Sequence, residues 1–166
     1  MVNSSKLLAF LREHRDDRGV MASLRCALVD GKRQRAWPLL ARFQGIGSDF
    51  RALAVQLIAG LYASHPEECD EGDLGSTCRA FLREDERLMI DSKGEPGPVS
   101  RRVQHLLAAE GEEVFPRVLR LVLRAKAENV PVNYGRLLED FMQWRYDPDA
   151  VRVRWARSFW AATEAV

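Results

Sequence analysis

The chain has 166 residues, of which 46% are apolar, and its formal net charge at pH 7 is +1. This length fits one compact domain or two small ones, and the lack of an apolar run of about eighteen residues excludes a membrane-spanning helix. The first residues lack the charged-then-apolar order of a secretory signal, so we expect a soluble cytoplasmic protein. Three cysteines without C-x-x-C spacing predict reduced thiols.

The nearly neutral total hides a strong segregation of charge along the chain. Residues 1–63 carry a net charge of +5, residues 64–96 carry −6, and residues 97–166 carry +2. Of the 25 basic residues 21 are arginines, whose planar guanidinium can bind a phosphate at two points. Local charge therefore favours a nucleic-acid partner, whereas the net charge alone does not.

Apolar residues recur at helical spacing along the whole chain, and no stretch alternates with a period of two. This pattern predicts an all-α fold. In the first part we predict helices that start at Ser4 or Ser5, run from Asp16 to about Leu28, cover 35–43, run from Ser48 or Asp49 to Ala63, and cover 74–88. An acidic loop at 65–73 precedes the last of these helices.

Residues 91–98 contain two glycines and two prolines, which is typical of a linker. Beyond this segment we predict helices at 99–109, 112–128, 133–145 and 149–163, and four helices with short connections are typical of an antiparallel bundle. We therefore predict two small helical bundles joined by a Gly/Pro-containing linker, an N-terminal helical domain at 1–92 and a C-terminal four-helix bundle at 98–166.

The last two predicted helices are rich in aromatic residues and should form the core of the second bundle. The first carries an apolar stripe made of Tyr134, Leu137, Leu138, Phe141 and Met142. Asn133 is placed to cap this helix, and the sequence Asp147-Pro148-Asp149 predicts a stop followed by a new helix start.

The sequence offers little support for catalysis or a cofactor. His65, Cys69 and Cys78 could supply soft metal ligands, but their spacing matches no common zinc site and Cys78 should face the core. His105 fits the edge of a core rather than a catalytic pair. No nucleophile motif or phosphate-binding glycine loop is present. We therefore predict a protein that is not an enzyme and that holds no metal or cofactor.

Arginines form rows on several predicted helices, and these are the candidate nucleic-acid-binding residues. The helix near 112–128 places three arginines within about 60° of its circumference, opposite an apolar face. The full set is Arg18, Arg25, Arg101, Arg102, Arg117, Arg120, Arg124, Arg154 and Arg157.

These rows have a competing interpretation as ordinary solvated faces, because Glu113 and Glu128 can pair with neighbouring arginines. If the rows instead converge on one groove, they suit a sugar–phosphate backbone. Few aromatic residues accompany them, so we expect backbone binding rather than base recognition. Arg152 lies inside an apolar arc, and we expect it to pair with a carboxylate such as Asp140.

Several short patterns follow one another along the chain. They are Arg18-Gly19 with Leu24-Arg25, Trp37-Pro38, Arg101-Arg102-x-x-x-Leu106-Leu107, Asn133-Tyr134-x-x-Leu137-Leu138-x-Asp140-x-x-x-Trp144, and Arg152-x-x-Trp155-Ala156. In this order they resemble the small subunit of the type I-E CRISPR surveillance complex Cascade, the CasB family.

This resemblance implies a non-catalytic subunit that is present as a homodimer, two copies head to tail, and contacts the backbone and large subunits of a crRNA-containing complex. It also implies that a basic surface holds the displaced single DNA strand and stabilises the R-loop for a separate helicase-nuclease. Arg18, Arg25, Arg101 and Arg102 match basic clusters of the family, whereas Arg117, Arg120 and Arg124 rest on helix geometry alone. Two alternatives remain open: a helical protein-interaction module without nucleic-acid binding, and a helical hydrolase with an unrecognised site.

Overall fold

The computed structural model describes residues 4–92 and 96–161, and within them it confirms an all-α fold. The described residues form ten α-helices, with short 3₁₀ helices at Cys26–Leu28, Arg33–Arg35, Ala41–Phe43 and Gly111–Glu113. The α-helices are α1 (Ser4–Glu13), α2 (Arg18–Arg25), α3 (Trp37–Leu40), α4 (Phe50–Ser64), α5 (Leu74–Ala80), α6 (Glu84–Asp91), α7 (Pro98–Leu107), α8 (Val114–Ala127), α9 (Tyr134–Trp144) and α10 (Pro148–Trp160).

Side-chain caps lie at or next to four of the predicted helix starts. Asp49 accepts a hydrogen bond from the Ala52 amide at 2.9 Å, and Asn133 accepts one from Arg136 at 3.1 Å. Asp17 and Asp147 cap α2 and α10 in the same way. Each cap satisfies a backbone N–H that the helix itself leaves without a partner.

The single helix predicted at 74–88 is wrong, because the structure contains two helices there. The chain leaves the helical conformation at Phe81, and Arg83 is extended before α6 begins. Three acidic residues, Glu84 to Glu86, occupy the first turn of α6, where negative charge interacts favourably with the helix dipole. This acidic run begins a helix, although the sequence predicts it inside a longer one.

Of the predicted linker at 91–98, residues 93–95 lie outside the described part of the chain. Beyond the predicted linker, α7 begins at Pro98, and a side chain from another helix caps the first turn of α7. The buried Glu86 carboxylate accepts hydrogen bonds from the Val99 amide at 3.3 Å and the Ser100 amide at 2.8 Å. Glu86 therefore anchors the start of α7 to α6.

Helix α4 lies at the centre of the fold. It is apolar on nearly all sides, which is typical of a helix surrounded by protein. Helices α2, α8, α9 and α1 pack against it. Tyr134 of α9 donates its hydroxyl hydrogen bond to the His65 carbonyl at 2.7 Å, just beyond the end of α4, and burial raises the pKa of this phenol.

The aromatic helices α9 and α10 form a second part of the core, as predicted. Trp144 and Trp155 stack with ring centroids 5.8 Å apart, and the Trp155 indole donates to the buried Asp140 carboxylate at 2.8 Å. Burial raises the pKa of Asp140, and the hydrogen bonds from Arg154 and Trp155 act in the opposite direction. This pair of helices therefore carries a polar group at the centre of an aromatic cluster.

Helices from both predicted domains contact one another. Helix α5 crosses α10 closely at Gly75, and Arg79 donates to the Phe159 carbonyl at 3.0 Å. The division between residues 92 and 98 stays a prediction. Among the described residues no helix is both long and apolar enough to cross a bilayer.

Candidate nucleic-acid interface

The clearest basic surface lies between α7 and α8. Helix α8 packs its apolar face on the core and turns the opposite face outward, and this outward face carries Arg120 and Arg124. The division follows from the sequence, because apolar and basic residues alternate at helical spacing. The core face consists of Val114, Phe115, Val118, Leu121, Val122 and Ala125.

A groove of about 480 Å³ runs along this outward face, and it gathers four of the predicted arginines. Its lining contains no acidic side chain. The residues that form it are Arg102, His105, Arg117, Arg120, Leu121, Leu123, Arg124 and Ala127. We call it the α7–α8 groove.

Two arginines of the α7–α8 groove are tied to the protein. Arg117 donates to the His105 carbonyl at 2.6 Å, in the last turn of α7, and lies 3.6 Å from Glu113. Because carbonyls at a helix C-terminus lack intrahelical partners, Arg117 joins α8 to the end of α7. Arg124 pairs with Glu128 at 3.2 Å, one turn away on the same helix.

The other two arginines of the groove are available to a ligand. Arg102 and Arg120 are exposed, and neither forms a hydrogen bond or an ion pair with any residue in the ranges 4–92 and 96–161. A guanidinium group without a protein partner has all its N–H donors available for a phosphate. The structure therefore separates Arg102 and Arg120 from Arg117, a distinction that the sequence could not make.

His105 was interpreted as an edge-of-core residue, and this interpretation is wrong. Its side chain is exposed and lines the α7–α8 groove beside the arginines. The sequence could not show this, since the position of His105 depends on how α7 packs against α8.

The remaining predicted arginines lie elsewhere. Arg101 is exposed beside Arg102 on α7 but is not part of the groove lining. On α2, Arg18 is exposed, and Arg25 donates to the Ala63 carbonyl at 3.1 Å. The groove thus collects arginines of the C-terminal half only.

Arg154 and Arg157 line a different depression on α10, which also contains Asp147 and Asp149. Arg154 donates to Asp140 at 2.6 Å and to Gln143 at 2.7 Å, so its guanidinium is held by α9. Arg157 is exposed and has no partner within the described residues.

Arg152 pairs with a carboxylate, as expected, but its partner is Asp149 and not Asp140. Arg152 bonds to Asp149 at 2.7 Å and to the Ala109 carbonyl at 2.6 Å, and it lies 4.9 Å from the centre of the Trp144 ring. Arg154 takes the place beside Asp140, together with Arg136 at 3.2 Å. Arg152 and Arg154 are two positions apart on α10, so their side chains point in directions that differ by about 200° around the helix axis. Only the packing of α9 on α10 decides which of the two faces Asp140.

The residues considered as metal ligands serve the fold. The buried His65 imidazole hydrogen-bonds the Val130 carbonyl at 2.7 Å, and Cys78 is buried, which raises the pKa of its thiol. Burial also raises the pKa of Cys69, which is half-buried. No group of three metal-binding side chains occurs within the part of the chain that the structure describes.

Comparison with known proteins gives one family match. The model of the family described as CRISPR-associated protein Cse2 matches residues 20–160, which is most of the chain. Among curated protein sequences none matches the chain significantly.

Solved structures with the same fold include CasB from Thermus thermophilus, which is 21% identical with a TM-score of 0.74, covering 97% of this chain and 99% of that one. CasB from Thermobifida fusca is 20% identical with a TM-score of 0.69, covering 94% of each chain. A chain of a CRISPR RNA-guided surveillance complex is 17% identical with a TM-score of 0.72, covering 97% of this chain and 93% of its own. These likenesses concern the fold.

Proposed function

This chain belongs to the CRISPR-associated Cse2 family, and we propose that it is a non-catalytic subunit of a Cascade-type surveillance complex that binds the nucleic-acid backbone. The observation that carries this proposal is the α7–α8 groove. Four arginines line it without an acidic side chain, and two of them have no partner among the described residues. The similarity in fold to a chain of a CRISPR RNA-guided surveillance complex supports the assignment to such an assembly.

The groove suits phosphate groups better than bases. Its polar side chains are one histidine and four arginines, and the rest of its lining is aliphatic. Guanidinium groups bind phosphate oxygens strongly and without regard to sequence. Arg117 fixes the two helices relative to each other, and Arg102 and Arg120 then bind the strand. Arg124 contributes when it releases Glu128, since an exposed pair of this spacing stabilises a helix only weakly.

The ligand that we propose is the DNA strand displaced when guide RNA pairs with its target. Exchange of a DNA duplex for an RNA–DNA duplex is nearly balanced in free energy, so a few protein–phosphate contacts shift it. Held in the α7–α8 groove, the displaced strand cannot easily re-pair, and the R-loop persists. In this proposal the chain works in the cytoplasm, as a homodimer beside the backbone and large subunits and the crRNA.

The arginines outside the groove extend this surface in the proposal. Arg18, Arg101 and Arg157 are exposed and unpartnered within the described residues, so each can contact a phosphate along a longer path. Arg25 and Arg154 already donate to protein oxygens, and we assign them weaker contributions.

The test is the salt dependence of DNA binding by the full chain. Affinity for a single-stranded oligonucleotide of mixed sequence is measured from low to physiological salt, for the wild type and for the double variant Arg102→Gln/Arg120→Gln. We expect weaker binding by the double variant and a salt slope reduced by about 1.4, because each lost contact with a single strand removes about 0.7.

A matched control removes the same charge elsewhere. Arg35 and Arg83 are exposed and unpartnered within the described residues, and neither lines the groove. The variant Arg35→Gln/Arg83→Gln should bind DNA as the wild type does. Equal losses in both double variants would show that net charge, and not the α7–α8 groove, governs binding.

A second candidate function can be tested in the same way, because one surface of the protein is suited to a protein partner. A groove of about 490 Å³ lies between α4, α8 and the 3₁₀ helix at Cys26–Leu28, and its lining combines the apolar Leu53, Leu57, Phe115 and Leu119 with the polar Asp30, Arg33, Gln56 and Glu112. A helical interaction module without nucleic-acid binding would use this groove. That function predicts no DNA binding at low salt and no effect of the Arg102→Gln/Arg120→Gln change.

A further inference from the structure

Tyr146 is an exposed aromatic residue just beyond α9, a helix whose own aromatic side chains are buried. It follows the end of α9 and has 77% of its surface exposed, whereas Tyr134, Phe141 and Trp144 are buried. A tyrosine offers a large flat face and normally covers part of it against the protein. Most of the Tyr146 side chain is therefore open to a planar partner, with the Arg145 guanidinium near its ring.

The guanidinium of Arg145 lies between two aromatic rings. Its central carbon is 5.4 Å from the centre of the Tyr146 ring and 5.8 Å from that of Phe50. Phe50 packs on the buried Phe115 at 4.7 Å, which ties this arrangement to the core. The Arg145 side chain has no hydrogen bond or ion pair with the described residues, so its charge is not neutralised. A cation next to an aromatic ring leaves both groups positioned for a stacked, negatively charged ligand.

A depression of about 290 Å³ opens beside Tyr146. Its lining includes the apolar side chains Leu138 and Met142 together with Arg51. Arg51 donates to the neutral Gln44 side chain at 2.9 Å and therefore keeps its charge. The one acidic residue of the lining, Glu139, lies 4.0 Å from Arg136. Positive charge thus dominates around the apolar side chains of the depression and the exposed Tyr146 ring.

We propose that Tyr146, Arg145 and Arg51 form a stacking site for an unpaired base of single-stranded nucleic acid. The base stacks on the Tyr146 ring, and the two guanidinium groups bind the adjoining phosphates. Stacking of this kind tolerates any sequence, since every base has an aromatic face. The inference rests on the proposed function, because it assigns a second contact to the same strand that the α7–α8 groove binds.

The charge around the depression favours nucleic acid over a protein partner. An apolar protein segment would bury the Arg145 and Arg51 charges without compensation, and burial of unpaired charge is unfavourable. In a strand of nucleic acid each stacked base is flanked by two phosphates, so both charges find partners.

The test compares two oligonucleotides of equal length, one with normal bases and one made of abasic sugar–phosphate units. The full chain is titrated with each at low salt. Tyr146→Ala should lower the affinity for the normal oligonucleotide by about five- to hundredfold and leave that for the abasic one unchanged. Tyr146→Phe should keep the wild-type affinity for both. Leu88→Ala, which removes another side chain that is 61% exposed, serves as the control and should change neither.

The outcomes separate this inference from the proposed function. Equal affinities of Tyr146→Ala and the wild type for the normal oligonucleotide would overturn the stacking site. So would a Tyr146→Ala variant that binds DNA normally but no longer joins the other subunits, since Tyr146 would then be a protein contact. Arg102→Gln/Arg120→Gln should weaken binding of both oligonucleotides by a similar factor. A wild type that binds neither would contradict the proposed function, and the stacking site with it.

Discussion

Asp140 shows how a single buried carboxylate organises several side chains. It is 1% exposed and accepts hydrogen bonds from Arg154 and from the Trp155 indole, with Arg136 at 3.2 Å. Burial disfavours its charged form and raises its pKa, while Arg154 and Trp155 favour the charged form. The desolvation effect is the larger one, and it fixes the sign of the pH dependence.

We predict that Asp140→Asn lowers the free energy of unfolding by about 1–3 kcal/mol, because one amide oxygen cannot satisfy three donors. The folded protein keeps the Asp140 proton to a higher pH than the unfolded chain. Hence the contribution of Asp140 to stability is greatest below its ordinary pKa of 3.8 and falls as the pH rises above that value.

This prediction is measured by urea unfolding between acidic and neutral pH. The difference in free energy of unfolding between the wild type and Asp140→Asn should shrink as the pH rises. The exposed variant Asp16→Asn is the control and should stay within about 0.5 kcal/mol of the wild type. A difference that grows with pH would show that the charged carboxylate, and not the neutral one, is favoured by the fold.

Arg117 and Arg120 lie on one face of α8 but should respond differently to the same substitution. Arg117→Met removes a charged hydrogen bond to the His105 carbonyl and should lower the free energy of unfolding by about 1.5–3 kcal/mol. Arg120→Met removes no such bond, so its stability should match the wild type while its affinity for single-stranded DNA falls. Thermal unfolding and DNA titration of both variants test this prediction, and a stability loss of equal size in both would contradict it.

At the residue scale, the sequence predicts which arginines share a helix face, because that depends on spacing alone. It does not predict their partners. Arg117 finds a carbonyl on another helix, and Arg154 takes the place beside Asp140 that was expected for Arg152. Tyr146 was not singled out either, since its exposure depends on where α9 ends.

Among the contacts between helices, the crossing of α5 over α10 leaves very little space between the two backbones. Helix α5 is short, and its Gly75 lies directly against the backbone of α10. A methyl group at Gly75 would fall inside contact distance of the Trp155 carbonyl oxygen and 2.9 Å from the Ser158 Cβ. Since the first of these atoms belongs to the backbone, a whole helix would have to shift.

We predict that Gly75→Ala lowers the free energy of unfolding by about 1–3 kcal/mol or more, as overpacking does in other protein interiors. Gly19→Ala is the matched control, because Gly19 is an exposed residue of α2. An added Cβ there would have only the Asp17 side chain nearby, at 3.5 Å. There alanine should stabilise by up to about 1 kcal/mol through its helix propensity. Chemical denaturation of both variants provides the measurement, and a Gly75→Ala protein as stable as the wild type would contradict the assigned crossing.

The sequence predicts the starts of helices better than their lengths or contacts, because a capping residue and the amide that it caps are close in sequence. Asn133 and Asp49, one of two candidates, cap their helices as predicted, and α10 begins at Pro148, one residue before the predicted start at Asp149. The break between α5 and α6 is missed because the apolar spacing continues through it. The cap that Glu86 supplies to α7 is missed because the two partners lie on different helices.

For the whole molecule, the segregation of charge along the chain is partly cancelled in space. The acidic loop meets α1, where Arg12 pairs with Glu68 at 2.7 Å and Arg15 with Glu67 at 3.2 Å. The excess positive charge of the first 63 residues is thus reduced, whereas Arg102 and Arg120 keep theirs. The side chains of Arg18 and Arg35 are also unpaired within the described residues, but Arg102 and Arg120 line one groove together, and strand binding is therefore proposed for the C-terminal half.

The central claim is that the α7–α8 groove holds the displaced strand, and the most direct measurement is made in the assembled surveillance complex on its target DNA. The sensitivity of the displaced strand to a single-strand-specific nuclease is followed together with the lifetime of the R-loop. With Arg102→Gln/Arg120→Gln, we predict severalfold faster cleavage and a shorter lifetime, while Arg35→Gln/Arg83→Gln behaves as the wild type. Normal assembly of the double variant with unchanged protection and lifetime would contradict the claim.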